Sequence, residues 1–220
     1  MFASLGVDLS SAKTREGMNK IQRIITTVQQ QVYRTEGSLN KLLMDDKGST
    51  LICIWGLFPF CHQDDVSRAL LTAFNMRREL AKIDNTSLNV GIATGTVFSG
   101  VVGTSGGRKE FSVLGDTVNL AARIMYLPIS QGKRGEINCC EGTVSSACNF
   151  FSFKFNGHHK FKGKSVNLPV FQPIDPMEEA SSAEKLLKIH LNTFSQDVIN
   201  PSQNDVPIML GREKEFRRVL

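Results

Sequence analysis

The sequence predicts an α+β fold with a ferredoxin-like βαββαβ core and a small additional αβ part on its C-terminal side. Three observations predict it. Apolar residues recur at helical spacing in two stretches, short apolar runs flank those stretches, and breaks rich in Asp and Gly separate neighbouring runs. Composition agrees: 41% of the 220 residues are hydrophobic and 21% charged, which is the usage of a globular chain and not of a disordered one.

Taken in order, residues 2–9 read as a buried strand ending in an acid. Met18, Ile21, Ile25, Val28 and Val32 then recur at spacings of 3, 4, 3 and 4, one face of a helix that ends at Glu36-Gly37-Ser38. Residues 39–44 and 49–57 read as two strands joined by Asp45-Asp46-Lys47-Gly48, a composition suited to a hairpin turn. Asp64 and Asp65 open a second helix, acids being favoured near the positive end of the helix dipole. Its apolar set is Val66, Ala69, Leu70, Ala73, Phe74 and Leu80. Strands at 88–93 and 97–102 follow, then a short strand at 111–114 and a helix over 116–125. A strand at 136–140, a short helix near Val144 and strands around 150–155 and 166–171 complete the expected domain, 1–173. Residues 174–205 turn polar and Asn/Ser/Gln-rich, the composition of a linker, and 206–220 turn apolar again as if another domain were starting.

Several function classes are excluded or disfavoured. The longest apolar run, 51–61, holds 11 residues including Gly56 and Pro59, too short to span a bilayer, so no transmembrane segment is expected. The start lacks a basic region, and Asp8 interrupts any apolar stretch, so it does not read as a secretory signal. Five cysteines, without a CxxC pair or metal spacing, read as reduced thiols of a cytoplasmic protein, with Cys53 a small core residue. A net charge of +5 suits a polyanionic ligand, yet no Lys/Arg stripe interleaved with aromatics points to nucleic acid. The glycines at 95 and 100 are not followed by the Lys-Ser/Thr of a Walker loop.

The informative stretch is 111–125, FSVLGDTVNLAARIM, where Asn119 and Arg123 lie four apart and so share a helix face. An amide beside a guanidinium can hold a sugar oxygen and neutralise a phosphoryl oxygen together. Spacing alone does not separate this from a solvated helix face. Small residues Ala121 and Ala122 predict close packing on the other side. His158 and His159 are adjacent, so on a strand they point to opposite faces and make poor co-ligands for one metal.

The string Val113-Leu114-Gly115-Asp116-Thr117-Val118-Asn119-Leu120-Ala121-Ala122-Arg123 resembles the signature of class III nucleotidyl cyclases. The stretches KLLMDDKGSTLICIWGL at 41–57 and GIATGTVFSGVVGT at 91–104 resemble the second catalytic half of soluble adenylyl cyclases. The likeness runs from about residue 2 to 173, and the final GREKEF is similar to the opening of the signalling ATPase module that follows the cyclase halves in that family.

The resemblance implies one half of an enzyme that converts ATP to 3′,5′-cyclic AMP and pyrophosphate at a site shared with a complementary half. It implies that Asn119 orients the ribose and that Arg123 stabilises the transition state. Lys41 matches the lysine that donates to the purine ring. Ser112 matches the position that accepts from the adenine amino group, whereas guanylyl enzymes carry Glu and a small residue at these two places. Lys162 or Lys164, in the basic run 154–164, matches the lysine reaching the triphosphate; a solvent-facing strand explains the same run. Asp8 and Asp45 fall where the metal-bearing half of the family holds two Mg²⁺ or Mn²⁺ ions, and oxygen ligands suit such ions. The altered residues after Asp8 and the Asp45-Asp46-Lys47-Gly48 insertion are more typical of second halves, whose partner holds the metals, so a strand-end acid and a turn former remain open readings. Other open readings are a catalytically silent cyclase-like domain that binds a nucleotide or serves assembly, and a ferredoxin-like RNA binder with exposed sheet aromatics.

Overall fold

The computed structural model of the chain describes residues 1–6, 13–45, 48–84 and 86–176, without the side chains of Met44 and Asp45. The expected linker and the start of a further domain lie outside these residues, apart from 174–176. In chain order the elements are β1 (Phe2–Leu5), α1 (Arg15–Arg34), β2 (Ser38–Asp45), β3 (Gly48–Ile54), α2 (Asp65–Ala81) and β4 (Leu88–Ile92). They are followed by β5 (Phe98–Gly103), β6 (Lys109–Leu114), α3 (Asp116–Ser130), β7 (Ile137–Cys140), α4 (Glu141–Ala147), β8 (Phe153–His159) and β9 (Leu168–Pro173). The first six elements form the expected βαββαβ unit, with strand order β2-β3-β1-β4 and antiparallel neighbours throughout. Beyond β4 the seven-stranded sheet continues as β7-β9-β8, β7 running parallel to β4.

β5 does not pair with β4, although it follows it directly. It pairs with β6 as a separate two-stranded ribbon, Phe98 opposite Leu114 and Gly103 opposite Lys109. A two-residue period says that a run is a strand, but not which edge receives it.

The register sorts the sheet into two faces. Ala3, Leu51 and Val90 align across β1, β3 and β4 and enter one apolar core with Ile21, Ile24, Val28 and Val32 of α1 and with Leu70, Phe74 and Leu80 of α2. Lys41, Ile52, Phe2, Gly91 and Asn138 align across five strands on the opposite face. There α3 lies so close to β4 that a Cβ on Gly91 would meet the Ala121 carbonyl and the Met125 amide. Of the two small residues expected to pack closely, Ala121 does and Ala122 is half-buried, and the close approach is set by the glycine opposite.

α1 is capped by Thr14, whose hydroxyl accepts from the Gly17 amide at 3.0 Å. Its buried stripe includes Gly17, Ile21, Ile24, Val28 and Val32, while Met18 is 54% exposed. The predicted set is therefore rotated slightly: 18 and 25 lie at the stripe's borders and Ile24 at its centre. α2 is buried more widely than its apolar residues suggest, taking Arg68 and Thr72 inward. Arg68 donates to Glu36 at 2.6 Å and to Asp64 at 2.9 Å, so its charge is paired where it is buried. α3 runs to Ser130, five residues past the expected end, with buried Pro128 in its last turns.

Candidate active site

β2 places Lys41 on the α3 side of the sheet, register partner to Ile52. β6 brings Glu110 to it: Lys41 Nζ lies 2.7 Å from Glu110 Oε1. Arg108 approaches the other carboxylate oxygen at 3.4 Å. The Lys41 hydrogen bond, reinforced by its charge, holds the Glu110 carboxyl below the usual carboxylate range. Ser112, two residues further along β6, is half-buried on the same strand face as Glu110. The two expected base-contacting positions, far apart in sequence, are thus brought to neighbouring places by the ribbon.

A cavity of about 300 Å³ opens between the sheet, α3 and the ribbon, and none of Lys41, Glu110 and Ser112 is among its walls. Phe2, Ile52 and Ile54 of the sheet, Val113 next to Ser112, and Val118 and Ala121 of α3 are among its walls. Its polar walls are mostly occupied with one another. Asp65 bonds His62 at 3.2 Å, the Thr94 hydroxyl meets that of Thr143 at 2.9 Å, and the Thr117 hydroxyl donates to the Thr96 carbonyl at 3.1 Å. What remains is a largely apolar slot between the sheet and α3.

α3 begins after Gly115, whose φ of 148° suits glycine, and carries both residues of the sequence constellation. Asn119 is exposed. Arg123, one turn on, is half-buried and reaches the β8–β9 loop, where its Nη2 is 3.7 Å from the place of a Cβ on Gly163. Its Nη1 is buried and, among the described residues, has no hydrogen-bond partner. A buried guanidinium N–H without an acceptor is costly, which marks a place for an anionic or carbonyl oxygen. Lys164, from the same loop, is ion-paired with Asp116 at the first turn of α3, whereas Lys162 is exposed. Of the two lysines offered by the sequence, Lys164 is therefore the one tied to α3.

Asp8 lies outside the described residues, as does the side chain of Asp45; the backbone of Asp45 closes β2 opposite Gly48. Among the described residues no group of three His, Cys, Asp or Glu is arranged to hold a metal. His158 packs edge-on against Phe155 and His159 meets the Asn156 carbonyl at 2.8 Å, so the two do not converge. Cys53 is buried and its thiol is pushed up to about 12 by burial, as befits a core residue and not a nucleophile. No helix among the described residues is long and apolar enough to cross a membrane.

Sequence reasoning missed Glu110 and the cavity walls. A signal for Glu110 existed, since it stands two places before Ser112 and a strand puts both on one face. The cavity left none, because its walls come from separate elements.

Residues 6–173 match the family described as adenylate and guanylate cyclase catalytic domain. Curated relatives include adenylate cyclase type 10 of Oryctolagus cuniculus, 30% identical over 187 residues, or 82% of this chain and 10% of the relative. The human protein of the same name is 33% identical over 143 residues, 62% of this chain and 8% of the relative. The chain therefore spans about a tenth of the length of these relatives. Among solved structures, the adenylyl cyclase CyaB from P. aeruginosa superposes with a TM-score of 0.69 at 18% identity, covering 79% of this chain and 91% of that one. The guanylate cyclase domain of RhGC from Catenaria anguillulae, in complex with GTP, gives 0.65 at 19% identity, with 79% and 93% covered. The mixed α+β architecture, the signature around Asn119 and Arg123, and the match over 6–173 agree: this chain belongs to the adenylate and guanylate cyclase catalytic domain family.

Proposed function

We propose that the chain is the base-reading and transition-state half of an adenylyl cyclase, converting ATP to 3′,5′-cyclic AMP and pyrophosphate together with a complementary half. The observation that carries this reading is the buried, unpartnered Nη1 of Arg123 on the sheet face that also bears Lys41 and the apolar cavity. A guanidinium held half-buried is preorganised for negative charge that builds up only in the transition state.

In this reading the purine enters beside Lys41 and Ser112. Asn119 holds the ribose so that its 3′-hydroxyl faces the α-phosphorus in line. Arg123 neutralises charge on the α-phosphoryl oxygens as the pyrophosphate departs, and Lys164, with Lys162 nearby in sequence, attracts the triphosphate. Two Mg²⁺ or Mn²⁺ ions, when bound, activate the nucleophile and neutralise the phosphates. The partner half would hold most of their ligands, with Asp8 and Asp45 the carboxylates this chain would add. The exposed apolar residues of the β5–β6 ribbon, Phe98, Val101, Val102, Phe111 and Leu114, support a partner covering that surface. The expected setting is the cytoplasm, in keeping with five free cysteines.

The test is reconstitution. The chain mixed with a complementary half should make cyclic AMP, and Arg123→Gln should lower turnover by about 10²–10³ while leaving folding intact. Unchanged turnover in that variant removes the assignment. Nucleotide binding without product, with every half supplied, would instead mark a silent domain. Activity of this chain alone that falls steeply on dilution would identify a homodimer.

A further inference from the structure

Asp116, Asn119 and Arg123 stand at i, i+3 and i+7 of α3, so the acid that opens the helix shares one face with the amide and the guanidinium. The β8–β9 loop is tied to this helix at two points. Phe161 is buried in one cluster with Ile124, Cys140 and Val170, which anchors the start of the loop between α3 and the sheet. The Lys164 amide then bonds the Phe161 carbonyl at 3.1 Å, closing a turn in which Gly163, at φ 77°, lies beside the Arg123 guanidinium. The second tie is the ion pair of Lys164 Nζ with Asp116 Oδ2.

We propose that Asp116 is a positioning residue that acts through Lys164: its carboxylate holds the ammonium while the site is empty and yields it to the triphosphate when nucleotide binds. This rests on the adenylyl cyclase reading and deepens it by naming what Lys164 bonds before the substrate arrives. A carboxylate and a phosphoryl group offer an ammonium the same kind of acceptor, an anionic oxygen, so one can replace the other. The triphosphate carries the larger negative charge, which sets the direction of the exchange.

The pair is built to open. The Asp116 side chain is 66% exposed, so water receives the carboxylate once Lys164 leaves it. Its place in the first turn of α3 keeps the released charge at the favourable end of the helix dipole. Lys164 differs, being 23% exposed, so its cation needs an anionic partner in either state. Phe161 stays buried throughout, which confines the ammonium to the neighbourhood of the face that bears Asn119 and Arg123.

The experiment is a double-mutant cycle on equilibrium binding of ATP with Mg²⁺, and of adenosine, to the full chain with its complementary half. Asp116→Asn should tighten ATP binding about two- to fivefold, the scale of a partly exposed ion pair, and leave adenosine binding unchanged. Lys164→Met should weaken ATP binding, and adding Asp116→Asn to it should restore little or nothing, because no ammonium remains to be released. A gain of equal size in both backgrounds would mean that the carboxylate acts only by repelling the triphosphate. Weaker ATP binding in Asp116→Asn would mean that the pair presents Lys164 to the nucleotide instead of giving it up. Either result overturns the proposal. Arg123→Gln separates this from the broader reading. If Lys164→Met binds ATP as the unaltered chain does while Arg123→Gln still loses turnover, the role of Asp116 falls and the cyclase reading stands. If neither variant has an effect, the reading falls with it.

Discussion

The two faces of the large sheet are built for different ends. On the α1/α2 face Leu51, Cys53, Val90, Leu70, Phe74 and Met76 are wholly buried, and the apolar cluster continues through β7 to Phe151. On the α3 face the comparable cluster of buried residues is Ile124, Cys140, Phe161 and Val170. There a lysine, a cavity and a half-buried arginine occupy space that the other face fills with carbon. The difference teaches that stability is concentrated on one side, which leaves the other free to keep groups that would be poor choices for a core. Polar groups held ready for a ligand reduce packing, and the opposite face supplies what they forgo.

The largest effect should come from emptying the dry face. Phe74 is fully buried and stacked on Phe151 with ring centroids 6.3 Å apart. Phe74→Ala should cost about 3–5 kcal/mol in denaturant unfolding, the range for a large buried aromatic. Arg123→Gln is its mirror, expected to remove about 3–4 kcal/mol of transition-state stabilisation, read as turnover, with little change in the unfolding midpoint. If instead it unfolds the chain, the two faces do not divide their work as described.

Gly91→Ala falls where the two roles meet. The added methyl would press on the backbone of α3 at Ala121 and Met125, so the helix must move. Calorimetry should show a loss of about 1–3 kcal/mol, as for overpacking elsewhere. Turnover should fall further than stability accounts for, because the same helix carries Asn119 and Arg123. Turnover that simply follows the folded fraction would detach α3 placement from catalysis. Lys41→Glu should be milder still, weakening ATP binding about tenfold or more by placing a carboxylate where a donor is expected.

The last effect vanishes near neutral pH and appears only in alkali, on the dry face. Burial raises the Cys53 thiol from 9.0 to about 12 and raises Cys139 in the same direction. In the unfolded chain these thiols ionise first, so the folded state binds more protons above 9.0. Stability should therefore fall as pH rises through that value, by roughly 1.4 kcal/mol per pH unit for each thiol, until the folded thiol also ionises. Urea titrations between neutral and alkaline pH would show it. Cys53→Ala and Cys139→Ala, made together, should flatten the slope.

How much was legible in the sequence follows from how far each signal reaches. The helix faces of α1 and α2 and the hairpin at Asp45-Asp46-Lys47-Gly48 rest on spacings of a few residues, so a one-dimensional reading finds them. The rotation of the α1 stripe toward Ile24 needed the sheet beneath it, because 3.6-residue periodicity leaves border positions undecided. The extension of α3 past 125 ran against the usual effect of Pro128, which is buried in the last turns. Asn119 and Arg123 were legible as a motif, but their unequal fates were not: one is exposed, and the other is folded back toward Gly163.

By itself the sequence determined the elements, the ferredoxin-like order of the first six, and the stretch that carries the family signature. These depend on periodicity and on a signature carried within one stretch of chain. Only the tertiary structure decided that β5 turns away to pair with β6, and that Glu110 thereby meets Lys41. It also decided that the Arg123 guanidinium is partly withdrawn from water with one N–H unmatched. Those outcomes depend on which surfaces meet after the chain has crossed the sheet several times. Loop closure and packing set them, and local sequence patterns carry no record of either.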